Sequence, residues 1–207
     1  MLRTLLIWLL PLTLSGFARG ESIAVDIYSQ EKLLALIHAD RYLEQVKADD
    51  CQLVQDIEAR AEVLNQPLYQ YLWGEMQNYG VCVPANPARG IELLNRAAGQ
   101  GSPEAMVLLA QYYRDGRFVV QNKHRAVQYV LPAAANGNQT ARMMLARLMS
   151  EGYGSPRDYE LAYHWLFNEV FSDEETKLEA LTLLQGLEAR MPASVVQKAR
   201  KASLNGR

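Results

Sequence analysis

An offset of 36 residues relates one stretch of this chain to the next, which restricts the chain to folds built by stacking one unit on its copies. At that offset Leu72, Leu108 and Met144 align, as do Gly74, Ala110 and Ala146, then Gly80, Gly116 and Gly152, then Leu93, Tyr129 and Trp165. The pair Ala97 and Ala98 recurs as Ala133 and Ala134, Gly101 as Gly137, and Ala105 as Ala141. So many residue classes held in one register mean tandem structural units.

Each unit reads as two helices. Residues 105–113 carry apolar side chains at helical spacing and run toward Gly116, where a residue tolerant of positive φ ends a helix. The second helix is predicted to start at Asn122 and at its counterparts Asn86 and Asp158, short side chains able to accept from the free amides of a first turn. Pro87 follows Asn86 at the first helical position, where its missing N–H costs nothing. Ser102, with Asn138 in the same role one unit later, opens a first helix. Small residues such as Ala97, Ala98, Ala133, Ala134 and Ala141 let helices approach while Leu, Tyr and Trp fill the space between layers. The expected architecture is all-α: an α-solenoid of three helix pairs over residues 67–102, 103–138 and 139–172.

An array of this kind needs different sequence at its ends. Residues 21–66 are expected to supply an N-terminal arm, extended over 21–28, and capping helices, with Leu33, Leu34, Leu36, Ile37, Leu53, Val54, Ile57 and Val63 at helical spacing. Residues 173–207 are expected to form C-terminal capping helices, opened by Ser172 with Glu175 as a capping box. Residues 1–20 read as an export signal: Arg3, an apolar run over 5–14, then Ala18, Arg19 and Gly20. Ten apolar residues interrupted by Pro11 are too short to cross roughly 30 Å of hydrocarbon at about 1.5 Å per residue. The exported chain is therefore expected to have no membrane span, and no cysteine before Cys51 offers a site for an acyl anchor.

Export changes the meaning of the two cysteines. An oxidising compartment lets an even count pair, and the one intramolecular pairing is Cys51 with Cys82. Metal binding competes poorly, because these cysteines and three scattered histidines lack the close ligand pairs of zinc sites. The balance of 21 basic against 23 acidic residues, with no basic cluster, argues against a nucleic-acid partner.

The chain has no Gly-x-Ser-x-Gly, no phosphate loop and no His-Glu-x-x-His. The reading is a non-enzymatic protein with no cofactor. His38, His124 and His164 are expected in surface or packing roles, although Glu160 lies one turn before His164. Asp49 and Asp50 read as a solvated helix start, or as an acid and base pair. The aromatics Tyr69, Tyr71, Trp73, Tyr112, Tyr113, Tyr129, Tyr163 and Trp165 either line a ligand groove or fill the core between layers, and recurrence favours core for most. Arg190, Lys198, Arg200 and Lys201 make the C-terminal end basic, as a solvated face or a docking patch.

The 36-residue helix pair, with its alanine pair, terminal glycine and second-helix aromatic, resembles the Sel1-like repeat, a relative of the tetratricopeptide repeat. The departures are Tyr69 in place of the alanine of the later units, and Glu169-Val170 in place of the alanine pair. Outside the repeats, residues 46–54 and 80–83, then 153–159 and 186–192, resemble an auxiliary family of the sodium-driven polar flagellar motor of Gram-negative bacteria. That resemblance implies a periplasmic structural part at the flagellar basal body. It would form the T ring with a MotY-type protein and link that ring to the PomA/PomB stator through the periplasmic region of PomB. A generic exported Sel1-like scaffold for envelope or polysaccharide assembly is the alternative.

Overall fold

Most helix starts in this chain coincide with Pro or a short polar side chain, and left-handed glycines end two of the repeat helices. The computed structural model describes residues 27–202 and contains eleven α-helices and no strand among them. The export signal expected over 1–20, most of the arm over 21–28 and residues 203–207 lie outside the described residues.

Three short helices come first: α1 (Gln30–His38), α2 (Tyr42–Ala48) and α3 (Val54–Glu62). Three helix pairs follow, α4 (Pro67–Tyr79) with α5 (Pro87–Gly99), α6 (Pro103–Asp115) with α7 (Lys123–Ala135), and α8 (Gln139–Ser150) with α9 (Tyr159–Phe167). A last pair, α10 (Glu174–Glu188) and α11 (Ala193–Ala202), packs on α8 and α9, so the stack is an all-α solenoid with helical ends.

Within a pair, small residues set the approach. Gly74 faces Gly90, and the equivalent positions hold Ala110 with Ala126 and Ala146 with Ala162, all four alanines buried. The first pair is the tightest: a methyl group at Gly90 would meet the Asn78 side chain, and the Gly74 carbonyl oxygen at 2.5 Å. Between layers Leu93, Leu109, Leu145 and Leu148 are fully buried, each worth roughly 1.5–3 kcal/mol. Of the eight aromatics, Tyr69, Tyr71, Trp73, Tyr112, Tyr113 and Tyr163 are buried, and Tyr129 and Trp165 half-buried.

Capping follows the repeat at most positions. The side chains of Asn86, Asn122, Ser102 and Asn138 accept from the amides of Arg89, Arg125, Ala105 and Ala141. Gly80 and Gly116 adopt φ of 66° and 73° at the ends of α4 and α6. Asp158 departs from the expected cap. A 3₁₀ turn over Pro156–Asp158 precedes α9, so the Asp158 backbone is already helical and its side chain receives no amide. Ser155 accepts from Arg157 N–H instead. The capping box at Ser172 is also corrected, because Asp173 caps α10 by accepting from Thr176 N–H. A carboxylate there answers the positive helix N-terminus better than a hydroxyl one residue earlier.

Asp49 and Asp50 end a helix rather than begin one: Asp49 is the C-cap of α2 and accepts from the Tyr28 hydroxyl and the Gln45 amide. Val63 is 74% exposed because α3 ends one residue earlier. The third pair departs where its alanine pair is missing. The helix α9 stops at Phe167, Glu169 pairs with Arg142 at 2.6 Å, and Val170 faces solvent.

Candidate functional site

The first helices of the three pairs present two lines of equivalent positions on one face, Tyr71, Val107 and Met143 beside Glu75, Gln111 and Arg147. In the first pair that face is covered. Tyr42, at the start of α2, lies edge-on to Tyr71 with ring centres 5.4 Å apart, and its hydroxyl donates to Glu75 at 2.9 Å. Tyr112 of α6 donates to both Glu75 oxygens, at 2.7 and 2.8 Å, and the Asn78 amide donates at 2.8 Å. This buried carboxyl, 1% exposed, thus joins the N-terminal cap to two successive repeats. Burial pushes the Glu75 pKa up against the three hydrogen bonds that favour its ionised form. Burial likewise raises Tyr42 and Tyr112, with nearby Glu75 adding to it, so both phenols remain donors.

Beyond this covered stretch the face opens into a groove. A pocket of about 560 Å³ lies between the α1–α2 turn and α6, walled by Ile37, His38, Asp40, Tyr42, Tyr71, Glu104, Val107, Leu108 and Gln111. Gln139 and Thr140 join it to a second depression of about 320 Å³, lined by Arg114, Met143, Met144, Arg147, Thr176 and Glu179. The first pocket mixes apolar and polar side chains, and the second is lined mostly by polar and charged ones around Met143 and Met144.

The N-terminal cap is fastened at two further places. Cys51 and Cys82 form a disulfide, with Cα atoms 5.6 Å apart, between the α2–α3 turn and the α4–α5 loop. Glu62 of α3 accepts from Arg89 and Arg96 of α5, at 3.1 and 2.7 Å. Burial works to raise the Glu62 pKa, and the two guanidinium hydrogen bonds outweigh it and hold it low.

Other singled-out residues fall apart from one another. His38 is 3.8 Å from Glu104, His124 stands edge-on to Tyr153, and His164 Nδ1 lies 3.3 Å from the Ala199 carbonyl. Glu160 turns to Lys198 at 2.8 Å instead of to His164. Arg190 donates to the Ser150 carbonyl and Arg200 to the Tyr163 hydroxyl, so most of the basic C-terminal side chains tie α11 and the turn before it to the third repeat. No group of three His, Cys, Asp or Glu among the described residues is placed to hold a metal ion. No described helix is long and apolar enough to cross a membrane.

The Sel1 repeat family model matches residues 67–102, 103–138 and 140–167. Over 201 residues, covering 97% of this chain and 95% of the relative, the sequence is 41% identical to the sodium-type polar flagellar protein MotX of Vibrio parahaemolyticus. It is 31% identical over 143 residues to the alginate biosynthesis protein AlgK of Pseudomonas syringae, covering 66% of this chain and 30% of AlgK. Among solved structures, a Sel1 repeat protein from Oxalobacter formigenes superposes with a TM-score of 0.55 at 25% identity, covering 62% of this chain and 97% of the other. A protective antigen of uropathogenic Escherichia coli with an SLR fold gives 0.52 at 21% identity, covering 68% of this chain and 29% of the antigen.

Proposed function

The chain belongs to the family of the sodium-type polar flagellar protein MotX and is built on three Sel1 repeats, and from that premise we propose that it is a structural adaptor of a sodium-driven flagellar motor. The observation that carries the reading is the length of the similarity, which extends past the repeats through both end sections. The adaptor works in the periplasm at the basal body, without catalysis or cofactor. It sits in the T ring with a MotY-type protein and holds the PomA/PomB stator through the periplasmic region of PomB. The groove and the firmly anchored N-terminal cap support a role in which surfaces do the work.

A clean deletion tests this. Cells are expected to keep their filaments and to lose swimming, with fluorescent stator subunits no longer gathering at the flagellated pole. Stators that still gather there in the deletion strain would refute the link. The alternative, a scaffold for envelope polysaccharide, draws on the local similarity to AlgK, and it predicts altered surface polysaccharide with normal stator placement.

A further inference from the structure

The pocket between the α1–α2 turn and α6 has an uneven charge. Three half-buried carboxylates are matched by cations, Glu62 by Arg89 and Arg96, Glu169 by Arg142, and Glu188 by Arg200, and half-buried Asp49 is held by the Tyr28 hydroxyl and the Gln45 amide. Glu104 has no Lys or Arg partner among the described residues. Its side chain is 12% exposed, yet its partners among the described residues are the Ser102 hydroxyl at 3.1 Å and His38 at 3.8 Å. Asp40 faces the same pocket without a Lys or Arg partner among the described residues, and no Lys or Arg lines the pocket. Two aromatic rings, Tyr42 and Tyr71, stand beside the two carboxylates. A pair of carboxylates on a pocket wall that holds no cation favours a positively charged organic group through charge. Val107 and Leu108 continue from it as an apolar strip toward Met143.

We propose that this pocket receives an arginine or lysine side chain of a partner protein's extended segment, whose neighbouring apolar residues lie along Val107, Leu108 and Met143. The proposal rests on the adaptor reading, because it names the chemistry that the adaptor's groove selects.

The test uses the full chain, isotope-labelled, titrated with the capped tripeptide acetyl-Leu-Arg-Leu-amide and with the same peptide carrying citrulline, which keeps the shape and removes the charge. Amide shifts are expected to concentrate at Asp40, Tyr42, Tyr71, Glu104 and Val107. Citrulline should bind at least ten-fold more weakly, and affinity for the arginine probe should fall with added salt. The double variant Asp40→Asn, Glu104→Gln should lose the arginine preference at an unchanged melting temperature. If the double variant does not fold, Asp40→Asn alone serves, since Asp40 sits at φ of 52°, where Asn is well tolerated. Equal binding of the citrulline peptide, shifts scattered over surface acids, or a response to calcium ions at these residues with none to arginine would each overturn the proposal. A deletion strain that swims normally would remove the motor reading and leave the probe result intact. Citrulline binding equal to arginine would remove the pocket and leave the motor reading intact.

Discussion

Glu75 carries a titratable group with 1% of its surface exposed and no cation among the contacts that hold it. Its folded pKa is raised, so the folded state holds this proton more tightly than the unfolded one. The stability it contributes is complete below the ordinary carboxylate value of 4.5 and is lost as pH rises through the folded pKa. Glu62, Glu188, Asp115 and Asp173 run the other way, with lowered values whose stabilisation is lost on acidification. The melting temperature of Glu75→Gln should therefore gain on that of the unaltered chain as pH rises from 4.5 toward neutrality, and a constant difference would contradict the assignment. Caps give a second expectation at this scale. Asn122→Ala should cost about 1 kcal/mol through the lost bond to Arg125 N–H, and Asp158→Ala distinctly less, as read by urea denaturation. Asn122 was legible because the repeat fixes its place. Asp158 stands just before α9, where the repeat puts it, but the 3₁₀ turn leading into it leaves its side chain without an amide, and at Ser172 a choice between adjacent polar residues shifts the start without changing the pattern. Glu75 left no signal at all. Its equivalents Gln111 and Arg147 line an open groove, and only the arrival of Tyr42 from outside the repeats buries it.

The helix pairs depend on a close approach that composition records directly. Gly90→Ala should separate α4 from α5 and cost about 1–3 kcal/mol, because the new methyl meets a carbonyl oxygen and a buried side chain. Gly99→Ala, with nothing within 4 Å, should be neutral or gain up to about 1 kcal/mol in the same helix. A Gly90→Ala change no more costly than Gly99→Ala would contradict the close approach as the reason for the glycine. Between elements, the disulfide closes a loop with a sequence separation of 31 and should add about 3–4 kcal/mol by restricting the unfolded chain. Cys51→Ser and Cys82→Ser should lose it equally, and two free thiols in the unfolded, unreduced protein would contradict it. The pairing was legible from a count of two. The second fastening, Glu62 with Arg89 and Arg96, was not, since no local spacing relates side chains 27 and 34 positions apart.

As a whole the stack is held unequally. Its N-terminal end is secured by a disulfide, a buried carboxyl network and a doubly held Glu62, whereas α11 buries Val196 and Ala199 and adds partly exposed pairs such as Lys198 with Glu160. Exposed pairs contribute little, so amide hydrogen exchange should be fastest in α11 and slowest in α4 to α7. Protection of α11 equal to that of α4 would show a single cooperative unit instead. The tyrosine that crosses from α2 onto Tyr71 and Glu75 has a further consequence. It stoppers the groove at the first repeat, while at the other end Thr176 and Glu179 of α10 line its wall. The face is thereby made unlike at its two ends, as a stack of equal repeats alone would not be.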